Sequence, residues 1–297
     1  FYRGYTIGHS NGWVYADDYL TKWTSNSQWV VQTAAGYSWN YRIPSGLTTI
    51  NVVNNRNNVY INEGALYNCV MVKNLTLTGK IVSIAKNAFY NTGITSLTIP
   101  STVTSIASYA CQNMPYLEDV TFNNSVSSTY IFDNCPKLKY AYFNGDNFTL
   151  ESYAFNNCVG LLEVSLGRNV IAVNDAAFAG CKSLTTMAIY NIGSTVSGLN
   201  SHFISMFGST EVAGMSQETC YYDASNTFTR YIPTAMNVTT LNTAIYDYQF
   251  AYIKSLASVT LDEATTSIGN YAFSNTSISS IRIPAAVSTL GIYIFYH

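Results

Sequence analysis

Ile94-Thr-Ser-Leu97-Thr-Ile99-Pro100-Ser-Thr-Val103-Thr-Ser-Ile106-Ala-Ser-Tyr-Ala110-Cys111 is one full statement of the phrase that decides the fold. Leu97 and Ile99 alternate with Ser96 and Thr98, the period-2 signature of a half-buried strand, so the aliphatic pair faces a core and the hydroxyl pair faces water. Pro100 ends that strand because it has no N–H to offer a continuing ladder. A V-x-x-I step follows, and the phrase closes on a small residue paired with a large one. That closing pair returns every 21 to 23 residues, at Ala65-Leu66, Ala88-Phe89, Ala110-Cys111, Ile131-Phe132, Ala154-Phe155 and Ala177-Phe178, then at Gln249-Phe250, Ala272-Phe273 and Ile294-Phe295. Self-similarity at such a period is the mark of a solenoid, in which each unit covers the apolar face of the next. Length therefore counts coils, and one elongated body is expected.

The alternating phrase recurs as Val72-Lys-Asn-Leu75-Thr-Leu77, Leu117-Glu-Asp-Val120-Thr-Phe122, Leu161-Leu-Glu-Val164-Ser-Leu166 and Ile278-Ser-Ser-Ile281-Arg-Ile283. These segments predict strands of one parallel sheet. Phe89, Phe132, Phe155 and Phe178 are expected to stack as a buried spine opposite it, each burial contributing about 1.5–3 kcal/mol. Cys111 fills the spine place in its coil, and Ala141 is the small residue in the strand that runs from Leu138 to Phe143. Cys69, Cys135, Cys158 and Cys181 all stand three residues after the large position and so form a column. Neighbouring coils lie about 5 Å apart, which permits a disulfide. The apolar company of these residues instead predicts buried, reduced thiols packed as small hydrophobes. With no CxxC pair and no nearby His, a zinc site is not indicated.

At these residues the chain resembles the BspA-like leucine-rich repeats, carried by I-x-x-L-x-I-P-x-x-V-x-x-I-x-x-x-A-F and best met from Ile94 to Cys111 and from Ile278 to Phe295. The likeness covers about 43–190 and 230–297. It implies a β-rich solenoid of the α/β repeat class: a right-handed leucine-rich-repeat superhelix with one parallel sheet and long irregular excursions. It also implies a protein of the cell surface or extracellular space that acts in adhesion or matrix binding.

A longer periodicity lies above the first. Tyr41-Arg-Ile-Pro44 with Leu47-Thr-Thr-Ile50 is echoed by Arg230-Tyr-Ile-Pro233 with Val238-Thr-Thr-Leu241. This divides the chain into a Trp-rich irregular or capping excursion at 1–40, a first module of coils at 41–190, an irregular excursion at 191–229 and the start of a second module at 230–297. The absence of an initiating Met and the stop at Tyr296-His297 within a phrase lead us to expect a processed chain or a piece of a longer protein. The open sheet edge there is expected to be covered by further coils, or by a neighbouring subunit offering Phe1–Ile7 as a strand.

Composition narrows the function classes. Hydrophobic residues make up 48% of the 297 and charged residues 10%, which leaves Asn, Ser, Thr and Tyr to cover the surface. A net charge of −2, with no Lys/Arg cluster in the sequence, gives no footprint for DNA or RNA. No apolar run reaches the length of a spanning helix. The histidines, His9, His202 and His297, lie outside the repeat strands, so neither a Ser/His/Asp nor a Cys/His arrangement has a base. Asp17-Asp18 and Asp262-Glu263 read as solvated turns, and no phosphate-cradling glycine motif occurs. No enzyme activity and no cofactor are expected.

Two candidate surfaces remain. Trp13, Trp23, Trp29 and Trp39 all fall in the first excursion, where they either cap the exposed core of the first coil or anchor a sugar or protein partner. Outward strand positions form two ladders, Asn74, Ser96, Asp119, Tyr140, Glu163, Thr186 and Thr76, Thr98, Thr121, Tyr142, Ser165, Ala188. Tyr140 and Tyr142, flanked by Asp119 and Glu163, make the best binding patch, although Thr and Tyr also simply suit pleated surfaces. An ice-binding threonine ladder is not sustained past Thr121. The sequons at Asn74, Asn123, Asn147, Asn237 and Asn275 matter only in a secreting eukaryote. The leading expectation is a non-enzymatic recognition solenoid for a protein or glycan ligand. The rivals are a subunit of an extracellular fibre or array that self-associates through its open ends, and an accessory module of a carbohydrate-active enzyme.

Overall fold

The structure is a computed structural model that describes residues 49–297 apart from 53–57, 79, 169, 191–202 and 222–226, together with the strand segments 5–6, 15–16, 21–23 and 29–31. Its centre is a nine-stranded parallel sheet whose spatial order follows the chain. The strands are Thr49–Val52, Asn74–Leu77, Ser96–Ile99, Asp119–Phe122, Tyr140–Phe143, Glu163–Leu166, Thr186–Ile189, Met236–Thr240 and Leu256–Thr260. Alternation does what the sequence predicts: Leu97 and Ile99 are sealed in the core while Ser96 and Thr98 face out. No α-helix occurs among the described residues, and no helix there is long and apolar enough to cross a membrane.

Shorter strands line the other side of the coils, including Val59–Ile61, Ile81–Ile84 and Ser105–Ile106 in parallel contact. Between the two layers lies one continuous apolar core. Phe132 stacks on Phe155 and Phe155 on Phe178, each pair at 5.5 Å between ring centres, with Cys111 fully buried in the gap between Phe89 and Phe132. The spine resumes in the C-terminal coils, where Phe250 stacks on Phe273 at 5.4 Å and Phe273 on Phe295 at 5.8 Å.

A backbone ladder ties the closing pairs of successive coils together, as in Phe89 N–H to Ala110 C=O at 3.0 Å, Phe132 to Ala154 at 2.9 Å and Phe155 to Ala177 at 2.8 Å. To bring the chain round at this point each coil uses a left-handed residue just before the pair: Gly64, Asn87, Tyr109, Tyr130, Tyr153, Ala176, Tyr248, Tyr271 and Tyr293. A second left-handed residue follows four positions later, mostly Asn, whose short side chain tolerates positive φ. The Asn column also bonds to itself, with Asn91 Nδ2 donating to Asn68 Oδ1 at 2.9 Å.

In the cysteine column Cys135, Cys158 and Cys181 are buried and Cys69 is half-buried, all four as free thiols, in line with the packing reading. Each buried thiol donates to a spine carbonyl of the preceding coil, Cys135 to Cys111 at 3.3 Å, Cys158 to Phe132 at 3.1 Å and Cys181 to Phe155 at 3.1 Å, while Cys69 donates to Tyr67 C=O of its own coil at 3.7 Å. Thr92 and Thr276 occupy the same place and bond instead to the spine carbonyl of their own coil, at 3.0 and 2.9 Å. Met114 and Ile253 fill it in two further coils, so the position requires burial and tolerates either a small donor or an apolar chain. Burial pushes the Cys111, Cys158 and Cys181 thiols well above their ordinary range and the Cys69 thiol up to about 12.

The described part of the 191–229 excursion is more regular than the sequence suggests. Phe203–Met206 forms a 3-10 turn that replaces the missing closing pair: Phe178 N–H bonds to Met206 C=O at 2.8 Å and Phe203 N–H to Gln249 C=O at 2.9 Å. Met215–Tyr221 and Thr227–Pro233 form an antiparallel hairpin. The Arg230 guanidinium holds it to the coils through Asp175 at 2.7 Å, and Glu218 accepts the Ser255 N–H at 3.0 Å. Beyond it the sheet continues, with Thr186–Ile189 pairing in register with Asn237–Thr240. Followed through the ladder, Ile50 matches Val238, not Leu241, so the Leu47–Ile50 half of the long echo is three residues out of register.

One expected strand is absent. Ile278 and Ile281 pack against the core, yet 278–283 joins no ladder and Ile283 is exposed.

Candidate functional site

The outward face of the sheet is built by the ladder register. Asp119 lies between Ser96 and Tyr140, Tyr140 between Asp119 and Glu163, and Tyr142 between Thr121 and Ser165. All four candidate residues therefore converge on three adjacent strands, as the sequence spacing predicts. Tyr140 and Tyr142 share one face of their strand with ring centres 6.4 Å apart and planes 18° from parallel, and Tyr142 is 45% exposed. Asp119 Oδ1 accepts the Ser96 hydroxyl at 2.5 Å, which fixes one carboxylate oxygen. Glu163 is exposed and makes no side-chain hydrogen bond or ion pair among the described residues. The result is an aromatic pair between two hydrogen-bond acceptors in a face otherwise made of Ser, Thr and Asn.

Trp23 and Trp29 lie in the paired strands Thr21–Trp23 and Trp29–Val31, the second of which runs parallel to Val59–Ile61. Trp13 and Trp39 lie outside the described residues, as does most of Phe1–Ile7, of which Tyr5–Thr6 pairs with Tyr15–Ala16.

Two features escaped the sequence. The first is a second aromatic surface on the coil turns, where Tyr109, Tyr130 and Tyr153 stack at 5.0 and 4.9 Å and Tyr248, Tyr271 and Tyr293 at 4.9 and 5.3 Å. All six hold positive φ, a conformation that costs a bulky residue free energy. The stacking offsets that strain, at about 0.5–1.5 kcal/mol per pair. The middle rings, Tyr130 and Tyr271, have both faces covered by stacked neighbours, so they show solvent their edges and hydroxyls. The second is a pair of cations far apart in sequence: Lys73 and Lys137 both sit on the ring of Tyr116, at 4.4 and 5.1 Å, beside the sheet. Alongside them Lys139 pairs with Glu118 at 2.8 Å, and that bond holds the Glu118 carboxyl below its ordinary range. Among the described residues no group of His, Cys, Asp and Glu could hold a metal ion.

A parallel sheet of in-register coils, an aromatic spine and an outward polar ladder define a leucine-rich-repeat solenoid. The chain belongs to the BspA type leucine rich repeat family, whose pattern matches in six copies over residues 44–161, 128–212 and 215–297. The match runs further into the excursion than the repeat phrase did. No curated protein sequence matches the chain. Among solved structures it is similar to a leucine-rich repeat protein from Bacteroides ovatus, at 16% identity and a TM-score of 0.37 over 84% of this chain and 76% of that one. A leucine rich cell surface protein from Faecalibacterium prausnitzii is 20% identical, with a TM-score of 0.26 over 91% of this chain and 48% of that one, so the chain spans about half of that protein's length. A leucine-rich repeat protein from Eubacterium ventriosum is 14% identical, with a TM-score of 0.30 over 91% and 90%.

Proposed function

We propose that this chain is a non-enzymatic recognition solenoid of the cell surface or extracellular space that binds a protein or glycan through its exposed sheet. The observation that carries this reading is the outward pair Tyr140 and Tyr142, set between Asp119 and Glu163 on three adjacent strands. Tyrosines present a broad apolar ring and a hydroxyl at low entropic cost, and acceptors beside them orient a polar ligand. The low-charge surface of Asn, Ser, Thr and Tyr suits an extracellular setting. The test is binding to a panel of immobilised saccharides and matrix proteins by the chain and by its Tyr140→Ala/Tyr142→Ala variant. Loss of binding with an unchanged melting temperature supports the sheet as the site. Undiminished binding by the variant refutes it and moves the site to the Trp-bearing excursion.

A further inference from the structure

The lysine pair on Tyr116 extends the sheet surface sideways and gives it a chemical preference. Successive coils align by backbone bonds, Thr95 N–H to Lys73 C=O, Glu118 to Thr95 and Lys139 to Glu118, so Lys73, Thr95, Glu118 and Lys139 form one row just before the strands. Tyr116 and Lys137 stand two residues earlier in their coils, where the coil before Tyr116 has Gly93. Gly93 is buried, and a Cβ there would lie 2.1 Å from the Val70 carbonyl oxygen, so that place carries no side chain. Across this gap Lys73 reaches Tyr116 from two coils away, while Lys137 reaches it from the next coil on the other side.

Three of the chain's eight lysines gather at this edge, where Lys139 takes Glu118 and the Ser96 hydroxyl bonds one oxygen of Asp119. Among the described residues neither Lys73 nor Lys137 has a carboxylate within ion-pair distance. Two ammonium groups held against one 41%-exposed ring raise the local positive potential, and an anion that meets either of them at the rim of the ring lowers it while accepting charge-assisted hydrogen bonds. The Tyr140–Tyr142 patch begins one residue beyond Lys139 on the same surface.

Resting on the proposed function, we infer that Lys73, Lys137 and Tyr116 form an acid-group subsite, and that the ligand of the sheet is a saccharide bearing a carboxylate or sulfate. The two carboxylates of the patch decide between an acidic saccharide and an acidic peptide. A peptide rich in Asp or Glu that crosses the sheet brings its charges against Asp119 and Glu163. A sugar places its acid group at the lysines and offers hydroxyl donors to those same carboxylates.

The experiment is calorimetric titration of the 297-residue chain with four probes: a heparin oligosaccharide, a hyaluronan oligosaccharide, a neutral chitin oligosaccharide and oligoglutamate. Each is repeated with Lys73→Gln/Lys137→Gln and with Tyr140→Ala/Tyr142→Ala, after thermal melting confirms that both variants fold. The acidic saccharides are expected to bind more tightly than the neutral one, to lose about tenfold in affinity in the lysine variant, and to weaken as salt is raised. Binding of heparin alone assigns the group as sulfate, and binding of both assigns any acid group; each outcome supports the inference. Acidic saccharides that bind no better than chitin, that are indifferent to the lysine variant, or that are matched by oligoglutamate overturn it. The two levels separate cleanly. If the tyrosine variant loses saccharide binding while the lysine variant does not, the sheet reading stands and the acid-group subsite falls. If only the lysine variant loses binding, the subsite stands and the sheet reading falls.

Discussion

Replacing Phe155 with alanine removes the middle ring of the spine, and its cost follows from the neighbours it leaves. Phe155 is fully buried, stacks on Phe132 and Phe178 at 5.5 Å on either side, and meets Phe143 edge-on at 6.3 Å. Truncating a buried Phe costs about 3–5 kcal/mol, because transfer free energy is lost and the cavity collapses only in part. Two interrupted stacks place this site toward the upper end of that range. For a chain of this size such a loss lowers the melting temperature by about 10 °C. Urea denaturation followed by tyrosine fluorescence measures it, with Phe155→Leu as the control that keeps most of the volume and costs less than about 1.5 kcal/mol. Coils touch only their neighbours, so the damage is local first. Hydrogen exchange should accelerate most at the Phe132 and Phe155 amides, whose ladder partners are Ala154 and Ala177. A loss below about 1 kcal/mol, or one equal to that of Tyr142→Ala, refutes the spine as the structural axis.

The buried thiols give a pH dependence of defined sign. With folded-state values raised above the ordinary thiol value of about 8.5, Cys111, Cys158 and Cys181 keep their protons in the native state after the unfolded chain has lost them, so stability is intact below about pH 8.5 and falls above it. The slope is about 1.4 kcal/mol per thiol per pH unit, and equal urea midpoints at pH 7.5 and 9.5 contradict it. Under native conditions the same thiols should resist alkylation, and rapid labelling of the column before unfolding counts against its burial. In the turn stripe, Tyr130→Ala should cost about 1–3 kcal/mol through its stacks with Tyr109 and Tyr153, and Tyr130→Val more, because a β-branched residue fits poorly at φ of 55°. Melting curves that show valine equal to or better than alanine exclude the left-handed turn as the cause.

Much of this was readable because a solenoid repeats its physics. The Leu97/Ile99 alternation places the core and the outward ladders, and the fixed offset of Tyr140 from Asp119 and Glu163 puts these side chains on adjacent strands. What was hidden depended on geometry that no local pattern encodes. Lys73 and Tyr116 are far apart in sequence and meet only because two turns of coil bring them level and Gly93 clears the way. Phe203 escaped notice because a 3-10 turn, not the small-plus-large phrase, carries it into the spine. The left-handed tyrosines gave no signal at all, since positive φ is read from Gly and Asn, and here stacking overrides that preference.

The molecule presents two aromatic surfaces, and the central claim is that ligands are read by the sheet and not by the turns. Selective labelling of the tyrosine rings, followed by NMR titration with whichever saccharide or matrix protein of the panel binds, separates them directly. The account predicts that the resonances of Tyr140 and Tyr142 shift while those of Tyr109, Tyr130 and Tyr153 stay in place. Shifts confined to the turn stripe, with Tyr140 and Tyr142 unmoved, contradict it.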